Sequence, residues 1–344
     1  MSEPARIWSA RNSPRLRAAS DTMRLFALHA TAELGAKVSE ALGQALAPHE
    51  ERTFEDGEQE ARPLAPVDQT DVYVIQSLHH GPHESTHDKL CRLLFFIAAL
   101  KDAGAARVTA VTPYLCYARQ DRRTAPFAPV TSRYVAELFE TAGADAVATL
   151  EVHNPAAFEN AFRRRAITLS ATPLYLDYLQ RFRGGRLCIV SPDAGGMKRA
   201  ELLRETLERA TGRSVGMAFA EKHRDAAHIF GHLFVGDVRG ATALVIDDLV
   251  CTGSTLVRAA RAARHAGAER VVALTAHGLF TPGAGEVLAD PAIERVAVTD
   301  SVPPFRLAHA PAKEKLDLLA SAPLFAETIR RLHEGRALAD LLVC

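Results

Sequence analysis

Two adjacent carboxylates precede a run of small and hydroxylated residues in the segment ALVIDDLVCTGSTL, residues 243–256. Asp247 and Asp248 end an apolar, strand-like run, and a helical pattern follows. The loop between them contains Thr252, Gly253, Ser254 and Thr255. Backbone N–H groups at such a turn into a helix bind phosphate, and paired carboxylates at a strand end accept hydrogen bonds from a vicinal diol. The segment therefore predicts a ribose 5-phosphate site, because an ordinary capped helix would explain neither the second acid nor Gly253.

Five further segments carry polar side chains where strands or turns are expected. They are FEDGEQ at 54–59, YLCYARQDRR at 114–123, LEVHNP at 150–155, SPDAGG at 191–196 and AEKHRD at 220–225. Arg119, Gln120 and Asp121 form a mixed cluster suited to a triphosphate and the edge of a base. Lys222 and Arg224, two residues apart, face the same side if their stretch is extended. Each segment taken alone also has an ordinary explanation, such as an acidic turn or a solvated charge run.

The elements that must position these residues follow from the periodicity. Short apolar or β-branched runs alternate with segments of helical period from residue 23 onward, which predicts an α/β fold with a mostly parallel sheet covered by helices. The expected strands are 25–28, 72–76, 108–113, 146–152, 187–191, 243–247 and 271–275. The expected helices are 31–46, 85–103, 131–142, 197–211 and 255–266. A helix-ending glycine followed by a strand recurs at 104–114, 143–153 and 267–277, which favours two similar domains meeting near 165–175 or, alternatively, a generic α/β connection.

Composition excludes several classes of protein. The chain has 344 residues, enough for two domains, and no net formal charge, which argues against binding nucleic acid or a membrane surface through a global basic field. The longest strongly apolar run, 93–100, is far shorter than the ~20 residues of a membrane span. Five cysteines without a CxxC pair predict neither a disulfide framework nor a zinc cluster and fit a reducing cytoplasm. Residues 1–22 favour a flexible tail over a targeting signal, with Met23 as an alternative start.

A family resemblance emerges from the motifs taken together. The segment VIDDLVCTGSTL resembles the phosphoribosyl-diphosphate loop of type I phosphoribosyltransferases and of ribose-phosphate diphosphokinases. The ordered series of the other segments, supported by MRLFALHATAEL, DVYVIQS, TAHGLF, TDSVP and APLFAETIRRLHEG, is similar to the diphosphokinases over residues 23–344. The resemblance implies two similar type I phosphoribosyltransferase-like domains, 23–170 and 171–315, each a mostly parallel sheet flanked by helices, and a C-terminal helical segment, 316–344.

The resemblance also implies an activity and the residues that bind its substrates. Diphosphoryl transfer from ATP to ribose 5-phosphate would give 5-phosphoribosyl 1-diphosphate and AMP for nucleotide biosynthesis. Asp247 and Asp248 would hold the ribose hydroxyls, with Asp248 as the nearest candidate general base, and the loop 252–255 would hold the phosphate. The residues that would bind ATP, the first three of them across a subunit interface, are Phe54, Asp56, Glu58, Arg119, Gln120 and Asp121.

The remaining implied roles concern charge. His153 and Asp193 would position Mg²⁺ or its waters, because transfer of a diphosphoryl group requires neutralisation of charge on oxygens that repel a nucleophile. Lys222 and Arg224 would be the catalytic pair that stabilises the moving charge. The implied assembly is a cytoplasmic homo-oligomer built from dimers, for example a hexamer.

The sequence departs from the family pattern at several site positions. TAPFAP at 124–129 replaces a loop that usually carries further arginines and a lysine, while Cys251 and Glu151 each stand where an aspartate is usual. Three alternatives stay open: a phosphoribosyltransferase, a non-catalytic regulatory paralogue, and the same chemistry on another pentose phosphate. The histidines of LHHGPHESTH, 78–87, suggest zinc, although the stretch reads as a polar loop that enters a helix.

Overall fold

Two mostly parallel sheets, one in each half of the chain, place the polar segments at their strand ends. The computed structural model describes residues 22–182, 184–222 and 232–343. The first sheet has the order β1-β4-β5-β6-β7, and all its strands are parallel. Its strands are β1 (Met23–Ala27), β4 (Asp71–Ile75), β5 (Arg107–Thr112), β6 (Ala146–Leu150) and β7 (Arg165–Leu169). Between β1 and β4, the antiparallel strands β2 (His49–Thr53) and β3 (Gln59–Pro63) form a separate hairpin.

The second sheet is wider and has the order β10-β9-β8-β11-β12-β13-β14. Only the pairing of β10 with β9 is antiparallel within it. Its strands are β8 (Arg186–Ser191), β9 (Gly216–Lys222), β10 (His232–Val235), β11 (Ala241–Val250), β12 (Arg270–Gly278), β13 (Arg295–Thr299) and β14 (Leu316–Leu319). The two acids of the loop motif therefore lie on the central strand β11.

Helices connect the strands and cover the sheets. They are α1 (Ala32–Leu42), α2 (Thr86–Asp102), α3 (Thr131–Thr141), α4 (Pro155–Ala161), α5 (Thr172–Leu179), α6 (Met197–Thr211), α7 (Ser254–His265), α8 (Ala284–Leu288) and α9 (Ala322–Glu334). Strands β4 and β6 are buried at every position, as a parallel sheet covered on both faces requires. The prediction of mostly parallel sheets flanked by helices is confirmed.

The recurring glycines end helices in the way the sequence predicts. Gly104, Gly143 and Gly267 have φ values of 88°, 100° and 96°, and each precedes a parallel strand. Only glycine adopts this left-handed conformation without strain, so the same helix stop can be used in both sheets. Strands β5, β6 and β12 are thus each preceded by the same feature, a helix-ending glycine with positive φ.

The structure differs from the predicted elements at several places in the first half of the chain. The hairpin strands β2 and β3 are mostly polar and exposed, so they show no apolar run. Helix α1 ends at Leu42 rather than at residue 46, because Gly43 turns the chain with φ 74° and Leu46 then bridges to Leu25. Strand β7 lies where the two domains were expected to meet, and it completes the first sheet.

The last part of the chain belongs to both halves. Residues 316–319 form the edge strand β14 of the second sheet, so the segment 316–344 is not wholly helical. Helix α9 then packs against α1 of the first half, and Leu342 bridges to Leu169 at the end of β7. One apolar core accordingly runs from β1 through α9 to residues of the second sheet.

A buried carboxylate fixes helix α9 to the first sheet. Asp71, which is 1% exposed at the start of β4, accepts hydrogen bonds from Nε of Arg107 at 2.7 Å, from the Tyr73 hydroxyl at 2.9 Å and from Nδ1 of His333 at 2.8 Å. Arg107 also donates to the Leu332 carbonyl in α9 at 3.0 Å. The charged pair is therefore satisfied by groups from three elements, as a buried ion pair must be.

Among the described residues, no helix is long and apolar enough to cross a membrane. Of the predicted tail at 1–22, all residues but Thr22 lie outside the described part.

Asp71→Ala should lower the free energy of unfolding by about 3–5 kcal/mol, because it leaves the half-buried Arg107 guanidinium without its carboxylate. Urea denaturation followed by circular dichroism measures the change. Asp102→Ala, at an exposed position at the end of α2, is the matched control and should change stability by less than about 0.5 kcal/mol. Equal effects of the two substitutions would contradict the role assigned to Asp71.

Candidate active site

The two sheets meet at a polar cleft formed by the carboxyl ends of their strands. His153, just beyond β6, donates from Nδ1 to Oδ2 of Asp248 on β11 at 2.6 Å. His277, near the end of β12, donates from Nε2 to the Leu150 carbonyl at 2.9 Å. Each bond joins one sheet to the other. Because open α/β sheets bind ligands at this edge of their strands, the cleft is the expected place for chemistry.

The two adjacent acids on β11 differ in their electrostatics. Burial alone would raise the pKa of Asp248, but the hydrogen bond from His153 and the charge of Arg199 hold that pKa well below its usual range. Burial, followed by the negative charge of Asp248, raises the pKa of Asp247. The pair therefore offers one firmly ionised acceptor beside a carboxyl group that is readily protonated. Such a pair can both accept hydrogen bonds from a diol and donate one to it.

Arg199 is a site residue that the sequence analysis missed. Its mostly buried side chain leaves the first turn of α6, and its Nε lies 3.5 Å from Oε2 of Glu151. Burial lowers the pKa of this guanidinium, but Glu151 and the two β11 acids outweigh it and raise the pKa. Oε1 of Glu151 in turn accepts a hydrogen bond from the backbone N–H of Ala171 at 2.8 Å. The sequence signal that could have identified Arg199 is a basic residue in the first turn of a helix that begins soon after a strand ends.

The small loop after β11 has the form of a phosphate cradle. Residues 252–255 turn from the strand into α7, and the hydroxyls of Thr252 and Ser254 lie 2.9 Å apart. Gly253 has φ 81°, and a Cβ built there would lie 2.7 Å from the buried side chain of Leu288. Thr255 occupies the second position of the helix. Glycine is thus required both by the backbone and by the close packing beneath the loop.

A cavity of about 510 Å³ lies beside the loops that follow β5 and β11, and its lining includes Arg119, Gln120 and Cys251. Arg119 and Tyr114 line both this cavity and the narrow cleft that holds Asp248. Gln120 also lines the cavity, with its Oε1 accepting a hydrogen bond from the Thr131 hydroxyl at 2.5 Å. The structure thus brings Arg119 of the first sheet into one cleft with Asp248 of the second, while Gln120 lines the neighbouring cavity.

Two other residues of the loops around this cavity are already engaged. Oδ2 of Asp121 accepts a hydrogen bond from the Asn154 side chain at 2.7 Å, which ties the loop after β5 to the start of α4. Burial raises the pKa of the Cys251 thiol, although the guanidinium of Arg119, which hydrogen-bonds to it, lowers it. The thiol therefore stays neutral where an aspartate would carry charge.

The hairpin residues are not brought to this cleft within one chain. The turn after β2 closes on itself, because the Phe54 N–H donates to the Glu58 carbonyl at 2.9 Å and the Glu58 N–H donates to Oδ1 of Asp56 at 3.1 Å. The guanidinium of Arg52 lies 5.0 Å from the centre of the Phe54 ring. Among the described residues, these side chains make no hydrogen bond to Arg119 or Gln120.

Of the predicted metal and catalytic residues, Asp193 and the backbone of Lys222 lie at the same edge of the second sheet. Asp193, exposed after β8, accepts a hydrogen bond at Oδ1 from the Gly196 N–H at 3.0 Å. Within the described part of the chain, His153 contacts Asp248 rather than Asp193. Lys222 ends β9, the parallel neighbour of β8, so its backbone lies at the same carboxyl edge. Arg224 lies outside the described residues.

Comparison with known proteins gives consistent matches. A family model described as the N-terminal domain of ribose phosphate pyrophosphokinase matches residues 23–143, and one described as the phosphoribosyl synthetase-associated domain matches residues 222–343. A ribose-phosphate pyrophosphokinase of Caldanaerobacter subterraneus subsp. tengcongensis is 34% identical over 94% of this chain and 98% of its own. Ribose-phosphate pyrophosphokinase A of Dictyostelium discoideum is 33% identical over 93% and 98%. The crystal structure of phosphoribosylpyrophosphate synthetase from Mycobacterium smegmatis matches with a TM-score of 0.81 and 31% identity over 91% of this chain and 99% of that one.

Gly253→Ala should weaken binding of ribose 5-phosphate by about 10- to 100-fold, because the added methyl group displaces the cradle. Isothermal titration calorimetry measures the change. Gly240→Ala is the matched control, since Gly240 also has a positive φ, 64°, but lies at the other end of β11 with open space around it. If both variants bind the sugar phosphate like the unmodified protein, the assignment of residues 252–255 to phosphate binding is wrong.

The titration of His153 should report its contact with Asp248. The hydrogen bond to Asp248 raises the pKa of His153, so the stability that the pair contributes is present at acidic pH and is lost as pH rises through that raised pKa. Nuclear magnetic resonance of labelled histidine should give a midpoint above 6.5, falling in Asp248→Asn. In magnesium-free buffer, the control substitution Asp193→Asn should leave the titration midpoint of His153 unchanged. An unchanged midpoint in Asp248→Asn would contradict the contact between His153 and Asp248.

Proposed function

This chain belongs to the ribose-phosphate pyrophosphokinase family, and from that premise we propose that it transfers the diphosphoryl group of ATP to ribose 5-phosphate, giving 5-phosphoribosyl 1-diphosphate and AMP. Family membership confirms the resemblance seen in its motifs. The chain is accordingly an enzyme of diphosphate transfer in nucleotide synthesis.

One observation supports the proposal above all others. Asp248 of the second sheet lines a narrow cleft together with Arg119 of the first sheet, and Arg119 also lines the adjoining cavity with Gln120 and with Cys251, the residue that precedes the proposed phosphate cradle. A phosphoribosyltransferase would use the cradle but would have no need for the polar groups of the first sheet beside it. Two substrates that react with each other require this joint site, because their reacting atoms must be held together in line.

Asp247, Asp248 and the cradle are the proposed sugar site. The hydroxyls of ribose would lie on the acid pair, and the 5-phosphate would lie on the backbone N–H groups and hydroxyls of residues 252–255. The low pKa of Asp248 makes its carboxylate a weak base, which favours the role of diol acceptor over that of general base. Arg199 and Glu151 are the proposed positioning residues of the pair.

The proposed transfer forms a bond between the anomeric oxygen of the sugar and the β-phosphorus of ATP. It breaks the bond from that phosphorus to the oxygen bridging to the α-phosphate, so AMP leaves with that oxygen, and the proton of the anomeric hydroxyl passes to solvent water. Negative charge builds on the transferred group, and Lys222 and Arg224 are the proposed cations that stabilise it. The backbone of Lys222 lies at the same edge of the sheet as the acids, which suits this role.

Magnesium is the proposed cofactor, with His153 and Asp193 as the residues that would hold it or its waters. The donor set fits, because Asp193 is exposed and accepts from Gly196 at Oδ1, and His153 uses Nδ1 for Asp248; among the described residues, Oδ2 of Asp193 and Nε2 of His153 have no hydrogen-bond partner and can face a metal-bound water. When bound, magnesium would neutralise charge on the phosphate oxygens of ATP.

The nucleotide site and the assembly are proposed together. Arg119, Gln120 and Asp121 would bind the phosphates and base from within the chain. Phe54, Asp56 and Glu58 would complete the site from a second copy, since in the described part of the chain the hydrogen bonds of their turn are internal and Phe54 contacts Arg52 of the same hairpin. We therefore propose that the chain forms a homo-oligomer built from dimers. The domain limits 23–170 and 171–315 are a separate proposal. Four free cysteines in the described part of the chain support the proposed cytoplasmic setting.

Phosphorus nuclear magnetic resonance of the purified chain with ATP, Mg²⁺ and ribose 5-phosphate should show AMP and a sugar diphosphate. Lys222→Ala should reduce turnover by about 10³-fold or more, because it removes a cation from the transferring group. Lys313→Ala is the matched control, since Lys313 is an exposed lysine of the same half of the chain, remote from the cleft residues in sequence.

Each outcome of this experiment has a distinct meaning. Turnover lost only in Lys222→Ala supports the proposed chemistry. Product from another pentose phosphate but not from ribose 5-phosphate overturns the proposed acceptor. Folded protein that turns over no pentose phosphate overturns the proposal and favours a regulatory paralogue.

A further inference from the structure

A group of three potential metal ligands lies outside the cleft, at the base of the hairpin. His29 follows β1, while His49 and Glu51 lie on β2, and one ligand atom from each comes within 4.8 Å of the other two. Within the described part of the chain, no other three His, Cys, Asp or Glu side chains converge this closely. From this geometry we propose that His29, His49 and Glu51 bind a zinc-class divalent cation that fixes the hairpin to the end of β1.

The local structure explains why the three side chains converge. Residues 49 and 51 are two apart on a strand, so their side chains point to the same face. Oε1 of Glu51 accepts hydrogen bonds from Nε2 of His49 at 2.8 Å and from the His29 backbone N–H at 2.5 Å. Nδ1 of His29 is 3.7 Å from the same oxygen. Tetrahedral zinc with bonds of about 2.1 Å separates its ligand atoms by roughly 3.4 Å, so small side-chain shifts would admit the ion.

The charge and burial of Glu51 also suit a metal ligand. Its side chain is only 3% exposed, and although burial alone would raise its pKa, the His49 ring and the backbone of His29 hold the pKa below its usual range. Oε2 of Glu51 has no hydrogen-bond partner, and Nη1 of Arg92 lies 3.2 Å from it as a charge partner. Arg92 thus orients the carboxylate through Oε2 and leaves Oε1 facing the histidines, as supporting groups do at metal sites.

The chemistry of the ligands selects the class of ion. Two imidazoles and one carboxylate are typical of zinc, whereas magnesium prefers oxygen ligands and keeps its waters. The His29 side chain is 62% exposed, so one side of the site is open for a coordinated water. His49 is fixed on the opposite side by the Phe96 ring, whose centre lies 5.7 Å away. The histidines at 79, 80, 83 and 87 do not form such a group, because His79 is buried against Ser77 and Lys89 while His87 contacts Tyr117.

An ion at this position would act on the hairpin. His49 and Glu51 lie on the strand that runs directly into the turn carrying Phe54, Asp56 and Glu58. A bond from His29 would tie that strand to the carboxyl end of β1. Binding of the ion does not depend on the proposed reaction, so the site can be tested without any substrate.

The test is calorimetric titration of ZnCl₂ into the full, untagged and metal-stripped chain in buffer that contains magnesium. The unmodified chain should bind one zinc per chain at this site, and His29→Ala should weaken that binding by more than about tenfold. His29→Ala should fold normally because its side chain is exposed. His265→Ala, which removes an exposed histidine of α7, is the matched control and should bind zinc like the unmodified chain.

A second measurement follows the hairpin itself. Zinc should slow hydrogen exchange in residues 49–59 of the unmodified chain and should have no such effect in His29→Ala. Equal zinc affinity in the unmodified chain and His29→Ala overturns the site. Zinc binding that depends on His29 but leaves hairpin exchange unchanged overturns the positioning role, and both outcomes are independent of turnover.

Discussion

The hydrogen bond between His153 and Asp248 is the contact on which the site depends. It joins a residue beyond the first sheet to the central strand of the second, so the cleft exists only where two separately built sheets meet. The contact also sets charge, because the His153 ring keeps Asp248 ionised while Asp248 raises the pKa of His153. The contact thereby brings Asp248, a proposed sugar-binding acid, into one cleft with Arg119, a proposed nucleotide-binding residue.

A cleft with so many buried charges is stable only because each is balanced. Arg199 lies between Glu151 and the β11 acids, and without it three carboxylates would face one another in a poorly solvated space. Glu151 is held in turn by a backbone N–H, which leaves it little freedom. The same balance lets the two acids differ: one stays ionised and the other is readily protonated, which suits recognition of a diol rather than of a metal alone.

Two departures from the family pattern, Cys251 and Glu151, lie beside the β11 acids and the loop 252–255 rather than within them. Cys251 contributes a neutral thiol beside Arg119, so this guanidinium has less compensating charge than an aspartate would supply. Glu151, with φ 41°, is longer than an aspartate and reaches both Ala171 and Arg199. These residues alter how charge is distributed around the cleft, while the acids and the cradle of the proposed sugar site keep the residues that the motif predicts.

The sequence by itself determined seven of the parallel strands, the helix-ending glycines, the acid pair and the small loop, because each is encoded by residues adjacent along the chain. Alternating periodicity and the required φ of Gly253 are local properties, and they hold wherever the segment lies. Only the tertiary structure decided that Arg199 and Glu151 support Asp248, that α9 returns to the first sheet through Asp71, and that His29 meets His49 and Glu51. Those contacts join residues tens to hundreds of positions apart, and their energies come from burial and charge pairing that exist only after both sheets have formed.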